Sequence, residues 1–139
     1  MRAFAAALLC AACSACRDHG AGTSQPVAGG DAERGRRALA AYGCGGCHTI
    51  PGVPGARARV GPPLTDFADR AYVAGRLPNQ PAELVRWIRD PQGVSPGTAM
   101  PNLGVGEAAA RDIAAYLYTL GAGGLGAPHL LPPSTLETH

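Results

Sequence analysis

The sequence predicts an all-α domain of about three main helices joined by long loops, and three observations carry that prediction. Segments 31–42, 80–90 and 107–120 show helical spacing of apolar residues or helix-terminal residues at their ends. The stretch between the first two is crowded with glycine and proline, and no run of alternating apolar and polar residues suggests a sheet.

Each element has its own reason. Asp31 is suited to cap a helix N-terminus, and the helix it opens runs to Tyr42 before Gly43 stops it. Residues 43–66 hold six glycines and four prolines and read as loop. The second helix, 80–90, carries Pro81 in its first turn, where a missing N–H costs nothing. Leu84, Val85 and Ile88 share one face of it, and Pro91 ends it. The third, 107–120, places Ile113, Tyr116, Leu117 and Leu120 at i, i+3, i+4 and i+7. Three short helices bury little surface and the chain is only 5% aromatic, so a domain of this size needs a staple or a cofactor to complete its core.

Composition divides the 139 residues further. Residues 1–16 have a positive start, an apolar run and small residues, the pattern of a secretory signal, and the run is far short of the roughly 20 apolar residues that span a bilayer. Cys16 follows Ser14 and Ala15 and precedes a polar stretch, which makes it a candidate for acylation as in bacterial lipoproteins. Cys13, however, stands where such signals usually carry leucine; cleavage near Ala15 or Ala21 with release of a soluble protein is the alternative. Residues 17–30 are polar and glycine-rich and read as a flexible linker with a reach of about 20 Å. A domain over 31–121 and a loosely structured tail over 122–139 complete the division. The expected location is the periplasmic side of a bacterial inner membrane, lipid-anchored or soluble.

A net charge of +2 implies neither nucleic acid nor an anionic membrane as partner, leaving the Cys16 anchor as the expected membrane link. All twelve basic residues are arginine. Arg57 and Arg59 form a basic patch with no acid nearby in sequence.

The decisive motif is Cys44-Gly45-Gly46-Cys47-His48. Two thiols at this spacing can each add across a haem vinyl group, and the adjoining histidine then reaches the iron from one side. The two glycines would let the backbone wrap closely at the ring edge. Other chemistries fit less well. A thioredoxin-type dithiol needs a strand before the motif, whereas Cys44 follows a predicted helix. A zinc site needs more ligands, and only His129 and His139 lie downstream. A structural disulfide leaves His48 unexplained. One covalently attached haem c is therefore expected. Met100 is the only methionine after the signal and lies 52 residues beyond His48, among prolines and outside any periodic apolar stretch. A core-filling methionine is the ordinary reading, but this setting favours an axial ligand. Ligation by a second histidine, through His19, His129 or His139, stays open.

On these residues the chain resembles the class I cytochrome c family over about 31–121. The resemblance rests on the helix with Gly35, the Cys-Gly-Gly-Cys-His motif and Gly61-Pro62-Pro63-Leu64. It continues through Trp87 with its neighbours Leu84 to Pro91, Thr98-Ala99-Met100-Pro101, and Ala115-Tyr116-Leu117. Residues 77–101 are particularly similar to the cytochrome c domains associated with bacterial haem–copper oxidases. The resemblance implies the class I cytochrome c fold around one haem, with thioethers from Cys44 and Cys47 and axial ligands His48 and Met100. It implies that the Pro62 carbonyl accepts the His48 ring N–H, and that Gly35 lets the first and last helices cross closely, with Leu39 near Tyr116. Trp87, Arg86, Arg76 and Tyr72 become candidates to meet a haem propionate; core packing competes for Trp87, and a solvated surface for the arginines.

The function expected is one-electron transfer without substrate chemistry. A quinol-oxidising complex would be the donor and a terminal oxidase the acceptor. Two alternatives remain: a fixed subunit through which electrons reach an oxidase or reductase, and a haem sensor or peroxidase with an open iron position.

Overall fold

The structure, a computed structural model, describes residues 25–121. The expected signal, Cys16, His19, His129, His139 and the tail after Gly121 lie outside the described residues.

Helix α1 (Ala32–Ala41) forms where capping chemistry predicts it, and the Asp31 side chain accepts the Arg34 amide at 2.7 Å. Gly43 takes the left-handed conformation (φ 71°) that turns the chain out of α1 and into a 3-10 turn at Cys44–Gly46. A second 3-10 turn, Phe67–Asp69, precedes a hairpin of β1 (Tyr72–Val73) and β2 (Leu77–Pro78), antiparallel with Tyr72 opposite Pro78. Helix α2 (Pro81–Arg89) starts on its proline and buries Leu84 and Ile88. A single turn, α3 (Pro91–Val94), follows directly, capped by the Asp90 side chain, which accepts the Gly93 amide at 2.9 Å. Helix α4 (Glu107–Leu117) closes the fold.

The core is organised by the crossing of α1 and α4. A Cβ on Gly35 would overlap the Asp112 carbonyl oxygen, so the crossing distance requires glycine there. Asp112, buried at 8% exposure, locks the crossing by accepting the Asp31 amide at 2.7 Å and a bidentate pair from Arg34, both at 2.9 Å. The Arg34 hydrogen bonds hold the Asp112 carboxyl below the ordinary aspartate range, against an opposing push from burial. A second buried polar centre ties the hairpin to α4. Asn79 donates to the carbonyls of Phe67 and Arg70, both at 2.9 Å, and accepts the Tyr118 hydroxyl at 2.9 Å. Burial pushes the Tyr118 phenol up to about 12.

Four features differ from the sequence reading. The expected linker is packed from Gln25 onward: Gln25 donates to the Asn79 carbonyl at 3.1 Å, and Val27 lies against the core. The last helix stops at Leu117 rather than at residue 120, because the amides of Thr119 and Leu120 tighten into i→i+3 bonds and the turn delivers the Leu120 carbonyl to the Ala68 amide at 2.8 Å. The hairpin was invisible because two-residue strands are too short to show alternation, and its turn uses Ala74 (φ 51°) with Gly75 (φ 67°) rather than Asn-Gly. Pro91 ends α2 as expected, but it also starts α3. Among the described residues, no helix is long and apolar enough to cross a membrane.

Candidate functional site

The motif cysteines sit on the turn that leaves α1. The amides of Cys47 and His48 both bond the Cys44 carbonyl, at 3.2 and 3.0 Å, which coils the five-residue motif into one compact loop. Both thiols are free; Cys47 is exposed and Cys44 partly buried, and burial pushes the Cys44 thiol up. Only one of the two intervening glycines is sterically required. A Cβ on Gly45 would stand 2.8 Å from the Ala56 Cβ, whereas nothing among the described residues crowds Gly46.

His48 is held by the returning chain. Its Nδ1 lies 2.7 Å from the Pro62 carbonyl oxygen. A carbonyl can only accept, so this contact places the ring proton on Nδ1 and leaves the Nε2 lone pair free for a metal. Gly61 lies against the ring, where a Cβ would overlap Cε1 and come within 2.7 Å of Nδ1. The returning strand is itself fixed, since the Gly61 amide bonds the Cys47 carbonyl and the Leu64 amide bonds the Thr49 carbonyl, both at 2.8 Å. Arg70, stacked 5.3 Å above Phe67, donates to the Pro63 carbonyl.

Met100 is half-buried in the loop between α3 and α4. Its backbone carbonyl accepts from Gln92 Nε2 at 2.8 Å, and its thioether makes no hydrogen bond among the described residues. Gln92 and Asp90 flank this loop and Asn102 lies within it; the roles of Gln92 and Asn102 were missed in the sequence, because polar residues beside prolines read as ordinary loop. Trp87 is half-buried and packed against the core, and its indole N–H has no partner among the described residues. Arg86, Arg76 and Tyr72 are exposed, and Arg86 lies 3.6 Å from Glu83. Arg57 and Arg59 are exposed and form no ion pair among the described residues.

These residues fit a covalently held haem. Two unpaired thiols stand beside a histidine of fixed tautomer whose second nitrogen is uncommitted, and a methionine is anchored by its backbone with its sulfur free. Among the described residues, no group of three or more His, Cys, Asp or Glu side chains could bind a metal ion instead. Two grooves, of about 520 Å³ beside α2 and about 460 Å³ along 49–57, include neither cysteine, nor His48, nor Met100, so these two do not mark the chemistry.

Comparison with known proteins agrees with this geometry. Residues 32–121 match the family described as Cytochrome c. The cytochrome c oxidase subunit 2 of Alkalihalophilus pseudofirmus is 40% identical over 70 residues, which cover 50% of this chain and 20% of that protein. That of Bacillus sp. (strain PS3) is 41% identical over 59 residues, covering 41% of this chain and 17% of the relative. The match thus spans at most 20% of these relatives' length. Among solved structures, cytochrome c2 from Rhodobacter sphaeroides superposes with a TM-score of 0.51 at 25% identity, over 66% of this chain and 97% of that one.

Proposed function

The chain belongs to the cytochrome c family, and from that premise we propose that it carries one electron at a time on a single haem c bonded to Cys44 and Cys47. The family is one of haem electron-transfer proteins; the single haem, its thioethers and its ligand pair are the finer reading. The observation that carries it is the 2.7 Å contact from His48 Nδ1 to the Pro62 carbonyl, which leaves Nε2 as the ligating atom beside two free thiols. The haem, when attached, supplies the ferric–ferrous couple. His48 and Met100 would hold its iron, which would leave no place there for a substrate, and Trp87, half-buried against the core, would be a candidate to donate its indole N–H to a propionate.

The donor is a quinol-oxidising complex and the acceptor a terminal oxidase, on the periplasmic side of a bacterial inner membrane. Support for the acceptor is the likeness to two proteins named cytochrome c oxidase subunit 2. The same likeness favours a second reading, in which the chain is a fixed subunit that delivers electrons within an oxidase. Redox titration of the haem-loaded protein, followed by mixing its reduced form with oxidase-containing membranes, tests both readings. The carrier predicts a one-electron couple and cyanide-sensitive oxidation that saturates with added protein. Co-purification in fixed ratio with the oxidase favours the subunit, and a reduced protein that membranes do not oxidise contradicts both.

A further inference from the structure

We propose that Gln92 is a positioning residue for Met100, holding shut the loop that presents the thioether and thereby setting how readily another ligand replaces it. The proposal rests on Met100 being the second axial ligand, as proposed above.

The loop has almost no backbone support of its own. Among the described residues, the one backbone–backbone hydrogen bond made by 96–105 is from the Thr98 amide to the Ser95 carbonyl, at 3.0 Å. The half-buried Gln92 side chain supplies three further bonds. Its Nε2 donates to the Thr98 and Met100 carbonyls, both at 2.8 Å, and its Oε1 accepts the Gly97 amide at 3.2 Å. One primary amide therefore fixes three of the four residues from Gly97 to Met100, using both donors and the acceptor.

The support for Gln92 is equally specific. It is the second residue of α3, next to the buried Pro91, and its own amide donates to Asn102 Oδ1 at 3.2 Å. Asn102 in turn donates to Asp90 Oδ1 at 3.0 Å, the oxygen that also caps α3. The chain is thus tied to α3 before Met100 through Gly97 and Thr98, at Met100 itself, and after it through Asn102. Only an amide serves at position 92. Glutamate is of equal size but would turn an acceptor toward two carbonyls, and leucine removes all three bonds.

The test is a titration of the haem-loaded ferric protein with imidazole, read at the far-red sulfur-to-iron band. We expect imidazole to displace Met100 about tenfold more readily in Gln92→Glu and in Gln92→Leu, the scale of two neutral hydrogen bonds lost. Tyr118→Phe, which loses a bond of similar strength to Asn79 far along the sequence, should titrate like the wild type. Affinities within twofold of wild type in both Gln92 variants would overturn the proposal. So would an equal shift in Tyr118→Phe, since the effect would then be one of general stability. A wild-type protein without the band would overturn the Met100 assignment itself, and this proposal with it.

Discussion

The two sides of the site are held by different kinds of bond. On the His48 side the restraints are covalent proximity and backbone: histidine follows Cys47 directly, its ring meets the Pro62 carbonyl, and Gly61 is pressed against it with no room for a methyl group. On the Met100 side, a loop with little backbone bonding hangs on the side-chain amides of Gln92 and Asn102. A backbone acceptor in a segment tied on both sides, at Gly61 and at Leu64, cannot rotate away, whereas a side-chain amide can. The His48 side is therefore the rigid wall, and in the proposed haem-loaded protein the Met100 side would be the one to yield first to added ligand, heat or denaturant.

The comparison can be broken most forcibly at Gly61. The Gly61→Ala methyl must displace either the His48 ring or the strand bearing Pro62, and overpacking of this kind costs about 2–3 kcal/mol. Denaturant unfolding of the haem-loaded variant should show that loss, together with a partly high-spin spectrum; unchanged stability and spectrum would mean that the wall is not closed. Met100→Ala acts on the other side and should leave folding largely intact. Loss of the thioether should lower the reduction potential on the order of 100 mV, within the span axial ligands set, and open the iron to added ligands. An unchanged potential in a redox titration would refute Met100 as ligand.

The smallest effect sharpens the contrast by leaving both sides alone. Asp112→Asn weakens only the α1–α4 crossing, and by less than the Gly61 change, because the exposed Arg34 side chain leaves the pair screened by solvent. Because Arg34 holds the Asp112 carboxyl below its ordinary value of 3.8, its contribution is complete above that pH and is lost as pH falls beneath it. Wild type and variant should differ by a constant amount near neutrality and converge in acid, with no change in the visible spectrum. A gap that persists to low pH would show that the clamp does not depend on charge.

Much of this was legible in the sequence because its signals are local. Asp31, Pro81 and the spacing of Ile113 with Leu117 mark helices by rules that act within a few residues. The Cys44–His48 motif needs no tertiary context either. The proximity of Pro62 to His48 came only through family resemblance, since nothing in the spacing of fourteen residues specifies it. Gln92 and Asn102 escaped altogether: a side-chain amide in a proline-rich stretch has no one-dimensional signature, and the role of Gln92 exists only once α3 turns it back over the Met100 loop. The Tyr72–Pro78 pairing escaped for a different reason, because two-residue strands are too short to show a repeating alternation.

The most direct test of the central claim is the visible absorption spectrum of the periplasmically matured protein, oxidised and reduced. Ligation by His48 and Met100 predicts six-coordinate, low-spin haem that resists acid extraction and shows the far-red sulfur-to-iron band when oxidised. A high-spin spectrum would contradict the account and bring a sensor or peroxidase forward, and a low-spin spectrum without the band would replace Met100 with a second histidine.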